Sequence, residues 1–208
     1  MFFGRYERGE LLAQYMQTQY GPTLPEPYLK SEGFYQAILS EAKPHVSGAR
    51  TLDVGCALGR LVFEYETLGA RGSVGIDTSR QFITFCDERK PEGSIAEFIC
   101  GDVMRFNPSE NFFFISCVNV VDRVNNPQNL VDHMRALLYR GGVLMLVDPY
   151  DWELSNTPKK LRVDDMKELL AAGKWKILKE RRDVSYTTPI GNGIDRTYAC
   201  HLILAEKI

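Results

Sequence analysis

The sequence predicts an α/β protein built on a doubly wound, mostly parallel sheet with an antiparallel hairpin at one edge. Two observations carry this. Between Thr51 and Val147, short apolar runs rich in β-branched and aromatic residues alternate with helical segments, as expected for strands buried on both faces. After Tyr150 the alternation stops. One helix is followed by two strand-like runs joined around Gly191-Asn192-Gly193, a turn signal that makes them a hairpin.

The elements follow in order. Glu7–Gln19 reads as a helix with Leu11, Leu12, Tyr15 and Met16 on one face. YGPTLPEPYLKSEG is a loop or break, rich in Pro and Gly. A second helix spans about Gly33 to Lys43 and is expected to stop near Pro44. Strands are predicted at Thr51–Val54, Gly72–Ile76, Ala96–Cys100, Phe112–Val118 and Gly142–Val147. Helices are predicted at Arg60–Leu68, Ser79–Glu88, Asn129–Leu138 and Asp164–Ala172. The closing strands are Trp175–Tyr186 and Thr197–Glu206.

Bulk properties narrow the classes. The 208 residues suit one domain. Lys plus Arg number 25 against 27 for Asp plus Glu, a net charge of −2. That balance gives no electrostatic reason for a nucleic acid or an anionic membrane as partner. The basic pairs Lys159-Lys160 and Arg181-Arg182 have acids nearby and read as solvated faces. Five cysteines show no CxxC or Cys/His zinc spacing, and those of FICG, FISCV and YACHLIL sit in apolar runs. Buried free thiols in a reducing compartment are expected. The N-terminus lacks the uninterrupted apolar core of a signal peptide, and no run reaches the ~18 apolar residues of a membrane span. The expected location is the cytoplasm. His45, His133 and His201 do not look like metal ligands, so no metal is expected.

The loop after the first strand, Asp53-Val54-Gly55-Cys56-Ala57-Leu58-Gly59, opens like a dinucleotide-binding turn. Gly55 permits the sharp turn, and Gly59 permits close packing of the helix on the strand. The middle glycine that lets backbone touch a pyrophosphate is replaced by Ala57. Asp53, before the loop, would repel a pyrophosphate and suit a cation. Asp77, 18 residues after Gly59, stands at the end of the second strand, where a carboxylate can hold both ribose hydroxyls. Asp102 follows the third strand, within reach of an adenine amino group. Three acids at three successive strand ends converge on one crevice. They describe a ligand that contains adenosine, carries positive charge and lacks phosphate, namely S-adenosylmethionine, with S-adenosylhomocysteine as its product form.

The set D-x-G-x-x-x-G, GID and GD resembles the class I methyltransferase family over residues 48–150. The resemblance implies a Rossmann-like sandwich with a seven-stranded, mostly parallel sheet whose last strand inserts antiparallel beside the fifth. It implies a single domain, 1–208, with an N-terminal helical lid (1–47), a cofactor-binding core (48–150), and a C-terminal helix and hairpin (151–208). The expected cofactor contacts are Asp53, Gly55, Cys56, Gly59, Arg60, Asp77, Thr78, Asp102, Val103 and Asn119. The Asn/Asp-Pro-Pro-Tyr/Phe signature of base methyltransferases is missing after the fourth strand. Asp148-Pro149-Tyr150 follows the fifth strand instead, which argues against DNA or RNA bases.

Finer segments are similar to the methyltransferase part of ovothiol biosynthesis. They are Gly55-Cys56-Ala57-Leu58-Gly59-Arg60, Asn119 with Asp122-Arg123, and Pro149-Tyr150-Asp151-Trp152 with Thr157-Pro158. That family methylates a ring nitrogen of a sulfur-substituted histidine, and a seleno analogue is a second candidate. The chain departs from many relatives in being free-standing, since 208 residues leave no room for the sulfoxide synthase domain fused in them, so a separate sulfoxide synthase is expected as functional partner. It leads to Asp122, Asn119 and Tyr150 as catalytic candidates. Asp122 would accept the ring N–H, or it would be a capping or salt-bridge partner of Arg123. Tyr150 and Trp152 would flank the imidazole, or pack in the core. Arg196 or Arg123 would take the acceptor carboxylate, and Tyr20 and Tyr28 would be lid contacts. Three alternatives stay open: another acceptor, a nicotinamide oxidoreductase, and a non-catalytic cofactor-binding module.

Overall fold

The computed structural model describes residues 12–16, 31–191 and 194–208. Seven strands form one sheet in the order β3-β2-β1-β4-β5-β7-β6. They are β1 Arg50–Val54, β2 Gly72–Asp77, β3 Ala96–Cys100, β4 Phe112–Val118, β5 Leu138–Asp148, β6 Trp175–Gly191 and β7 Ile194–Lys207. Strands β1 to β5 pair in parallel. β7 runs antiparallel between β5 and β6. The architecture expected from the sequence, including the inserted last strand, is the one observed.

Helices cover both faces: α1 Glu32–Val46, α2 Arg60–Thr67, α3 Arg80–Arg89, α4 Pro127–Leu137 and α5 Lys167–Ala171. The period of two along β5 decides which layer each residue joins. Leu144 and Leu146 pack with Leu130 and Leu169 of the α4/α5 layer. Val143, Met145 and Val147 pack with Ile38, Leu61 and Tyr65 of the α1/α2 layer. A strand buried on both faces needs such an unbroken apolar run.

Several boundaries differ from expectation. Pro44 lies inside α1, which continues to Val46. Ala42 and Val46 are fully buried four residues apart, and that packing holds the last turn although proline removes one helical N–H. β5 begins at Leu138, with a register shift against β4 between Phe112 and Phe114. The extra residues include Gly141 at φ 79°, a conformation that hides a bulge from strand periodicity. α5 is shorter than expected because the Asp165 carboxylate accepts the Lys167 N–H at 2.9 Å and starts the helix late. Cys56, Cys86, Cys117 and Cys200 are buried free thiols, but Cys100 is exposed at the end of edge strand β3. Among the described residues, no helix is long and apolar enough to cross a membrane.

Strand order reverses between β1 and β4. The chain moves outward from β1 through β2 to β3, then returns to the other side of β1. At such a switch point the loops after adjacent strands part, and the carboxyl ends of β1 and β4 open a crevice.

Candidate active site

The floor of the crevice is the loop after β1. Gly55 has φ 72° and Gly59 has φ 80°. A Cβ on Gly55 would lie 2.4 Å from Val120 Cγ2, and one on Gly59 would lie 2.7 Å from the Phe98 ring. The first glycine makes room for the chain leaving β4, and the second for the helix against the sheet. Gly59 therefore serves packing and does not line the cleft. The loop amides are already used. Gly55 and Cys56 N–H groups donate to Ile76 O at 2.8 and 3.1 Å. Ala57 N–H donates to Asp77 Oδ2 at 3.0 Å. Ser79 N–H donates to Asp77 Oδ1 at 2.9 Å. The Ala57 amide is thus bonded to a carboxylate and does not stand open for a phosphate, which disfavours a pyrophosphate on this loop.

The cleft encloses about 480 Å³. Asp53, Asp77 and Asp102 all line it, with Gly55, Thr78 and Val103 between them. Asp53 is 4% exposed. Ser116 Oγ donates to its Oδ1 at 2.6 Å, but burial outweighs that bond and pushes its pKa up to about 7. Asp102 accepts the Met104 N–H at 2.9 Å, which starts the short 3-10 turn Val103–Arg105. Cys56 also borders the cleft, although its thiol is buried against Gly75 and Val62. Arg60 is 7% exposed. Its guanidinium pairs with Glu32 Oε2 at 2.7 Å and lies 4.2 Å from the Tyr35 ring centroid. From above, Tyr15 packs on Phe82 with centroids 4.9 Å apart. Gln14 Nε2 donates to Pro189 O at 2.6 Å, tying the helical stretch 12–16 to β6.

The far half of the cleft begins at Asn119, just after β4. Its φ is 56°, and its N–H donates to Val147 O at 2.8 Å. Arg123, Asp151, Arg196, Tyr186 and Tyr198 complete this half. Tyr186 and Tyr198 are cross-strand partners, with ring centroids 6.4 Å apart and planes inclined by 24°. Asn119, Arg123 and Arg196, expected near the acceptor, are thus brought together.

Three other candidates are not. Asp122 is fully buried and does not line the cleft. Its carboxylate makes no hydrogen bond among the described residues, and Oδ1 lies 3.3 Å from Arg123 Nε. Burial raises the pKa of Asp122 and of Asp148, and the negative charge of Asp122 raises Asp148 further. Tyr150 points away from the cleft. Its hydroxyl is 2.5 Å from His201 Nδ1 and accepts the Met166 N–H at 2.8 Å, with burial pushing its pKa up to about 12. Trp152 packs on the α4/α5 core. Tyr20 and Tyr28 lie outside the described residues. Among the described residues, no cluster of His, Cys, Asp or Glu could hold a metal.

Sequence reasoning missed Tyr186, Tyr198 and Asp151. A signal existed for the tyrosines. They stand six residues either side of Asn192, so pairing outward from the glycine turn sets them side by side.

The sheet order, with an acid at the end of each of its first three strands, is that of the class I S-adenosylmethionine-dependent methyltransferases. More particularly, the chain belongs to the methyltransferase domain family, whose model matches residues 45–187. The domain's cofactor is S-adenosylmethionine. Over 102 residues the chain is 28% identical to the ubiquinone biosynthesis O-methyltransferase of Rhodopseudomonas palustris, a match that covers 49% of this chain and 40% of that protein. The chain spans less than half the length of the ubiquinone biosynthesis O-methyltransferases it matches. Its fold is similar to magnesium protoporphyrin IX methyltransferase from Synechocystis with bound SAM, at TM-score 0.69 and 17% identity over 98% of this chain and 94% of that one. It is also similar to the N-methyltransferase NodS of Bradyrhizobium japonicum, at TM-score 0.63 and 16% identity over 86% and 99%.

Proposed function

We propose that the protein transfers a methyl group from S-adenosylmethionine to a ring nitrogen of a small thiohistidine- or selenohistidine-like amino acid. The observation that carries this is the composition of the far half of the cleft. A flat aromatic wall, Tyr186 and Tyr198, stands beside both signs of charge, Arg123 and Arg196 with Asp151. That combination suits a flat ring bearing a charged amino acid head. The cleft has no lysine or histidine among its described lining residues, although carboxylates line it. A phenol or a thiol would need a base to remove its proton, and one of these carboxylates would have to serve. A neutral imidazole already presents a lone pair, so the site has only to hold the reactive tautomer.

The acidic, amide-poor floor fits the cofactor. Asp77 would hold the ribose hydroxyls, Asp102 and Val103 the adenine edge, and Asp53 with Gly55 the cationic end. When bound, S-adenosylmethionine supplies a methyl group on a positively charged sulfur. The remaining work is alignment. Asn119, held in a left-handed conformation at the end of β4, would direct its amide at the acceptor ring. The tyrosine wall would keep the ring in plane and benefit from positive charge moving onto it. Alignment of this kind is worth an effective molarity of about 10⁵–10⁸ M. Asp122 acts from beneath, by fixing Arg123. The curated relatives carry the name O-methyltransferase, so the acceptor is read from the cleft and not transferred from them.

The test is mass spectrometry of reactions with S-adenosylmethionine and histidine, 5-thiohistidine or its seleno analogue under reducing conditions. A product one methyl heavier from the chalcogen-bearing histidines is the expected result. Failure to form it while S-adenosylhomocysteine still binds overturns the acceptor and leaves the methyltransferase domain.

A further inference from the structure

The acceptor half of the cleft holds a compact set of charges that alignment of a ring does not require. Tyr198 Oη donates to Asp151 Oδ2 at 2.9 Å and receives Arg196 Nη1 at 3.3 Å. One hydroxyl therefore joins an acid and a base, which stand no more than two hydrogen-bond lengths apart. Arg123 braces the acid from the other side. Its Nη1 donates to the main-chain oxygen of Asp151 at 2.8 Å, and its Nη2 lies 3.5 Å from Oδ2. Asp122, buried 3.3 Å from Arg123 Nε, holds that arginine in turn. Among the described residues, Asp151 Oδ1 makes no hydrogen bond, and the Asp151 side chain is 42% exposed.

We propose that Asp151, Tyr198 and Arg196 form a clamp for the head group of a free α-amino acid, with Asp151 taking the ammonium and Arg196 the carboxylate. This rests on the amino acid acceptor proposed above and adds how that head is recognised. The two charges of an α-amino acid sit one carbon apart, so their partners must be neighbours of opposite sign. Asp151 and Arg196 meet that requirement because they share the Tyr198 hydroxyl. Arg196 presents a planar fork suited to a carboxylate. Arg123, committed to Asp151 and Asp122, is the brace. The clamp stands at the end of the β6–β7 hairpin beside the Tyr186–Tyr198 wall, so a held head group leaves the ring against the wall. The arrangement selects against amines that lack a carboxylate and acids that lack an amine.

Calorimetry on the protein loaded with S-adenosylhomocysteine tests this without turnover. The probes are 5-thiohistidine, L-histidine, histamine (no carboxylate) and imidazolepropionate (no amine). Each truncated probe is expected to bind about tenfold or more weakly than L-histidine, the scale of one solvent-accessible charge-assisted contact. Arg196→Met should weaken L-histidine and imidazolepropionate and leave histamine unchanged. Asp151→Asn should weaken L-histidine and histamine and leave imidazolepropionate unchanged. Retained S-adenosylhomocysteine binding shows that each variant is folded, and the probe comparison on the native protein stands even if a variant fails. Equal binding of L-histidine and both truncated probes overturns the clamp. So does an equal loss for every probe in both variants, or no binding of either amino acid. If L-histidine binds with the expected pattern but 5-thiohistidine gains no methyl, the clamp survives and the thiohistidine reaction does not.

Discussion

Asp53 shows how burial of one side chain ties stability to pH. Its pKa is raised from 3.8 to about 7, chiefly by burial. The folded chain therefore binds this proton more tightly than the unfolded chain does. Stability is highest below the unfolded pKa, falls as pH rises through the window up to about 7, and is level above it. The ionised group costs on the order of a few kcal/mol. Asp53→Asn should raise the thermal midpoint of the cofactor-free protein above pH 7 and match the native protein near pH 4. The same charge favours a cationic ligand, so the preference for S-adenosylmethionine over neutral-sulfur S-adenosylhomocysteine should grow as pH rises through 7. A ratio of affinities that stays constant across that range removes Asp53 from the sulfonium side. Gly55 is the second sensitive residue. Alanine there meets a φ of 72° and a contact of 2.4 Å with Val120. The variant should lose about 1–3 kcal/mol of stability. It should also bind cofactor more weakly because Asn119 directly precedes the displaced Val120; unchanged titration calorimetry would count against this.

At the scale of elements, the caps and the hairpin carry separable roles. Asn126 begins α4, its side chain accepting the Asn129 N–H at 3.1 Å, with Pro127 in the first turn. Asn126→Ala should cost about 1 kcal/mol in denaturant unfolding and leave cofactor affinity unchanged. A fall in affinity would show that α4 shapes the cleft as well as the core. The β6–β7 hairpin extends past its pairing with β5. Its outer end holds Tyr186, Tyr198 and Arg196 over the cleft, and Gln14 bonds to it at Pro189 and Thr188. Gln14→Ala should speed release of S-adenosylhomocysteine several-fold in stopped-flow measurements, because the overlying helical stretch loses its anchor; an unchanged rate would mean that the anchor does not gate the site. The strand length that makes this reach possible was not legible. Residues Thr187, Thr188, Pro189, Gly191, Asp195 and Arg196 are polar or turn-forming, and they stay in the ladder because each is paired with the opposite strand.

At the scale of the molecule, one sheet carries both layers of core. Leu52, Ile115 and Leu146 are fully buried at its centre. Leu146→Ala should cost about 2–5 kcal/mol, read as a shift in denaturant midpoint at unchanged slope. Hydrogen exchange should be slowest in β1, β4 and β5 and fastest in β3, an edge strand with one buried residue of five. Equal protection of β3 and β4 would count against the strand order.

The parts read from sequence share a physical origin. Strand runs, the glycine turn after β1 and the three acids are local, because periodicity, φ preference and position at a strand end all act within a few residues. Asp53, Asp77 and Asp102 could be assigned to one crevice because parallel topology places consecutive strand ends side by side. Residues of the acceptor half lie far apart in sequence and meet only through folding. Asp122 and Asp151, or Tyr150 and Tyr198, look interchangeable as residue types. Their fates differ because the turn after β4 buries Asp122 under Arg123, while the chain after β5 sends Tyr150 towards His201 and brings Asp151 to Tyr198. The sequence by itself determined the sheet, the cofactor loop and the charge of the ligand it accepts. Tertiary structure alone decided which side chains line the far half of the cleft, because a side chain's direction there depends on long-range pairing and burial and not on its neighbours in the chain.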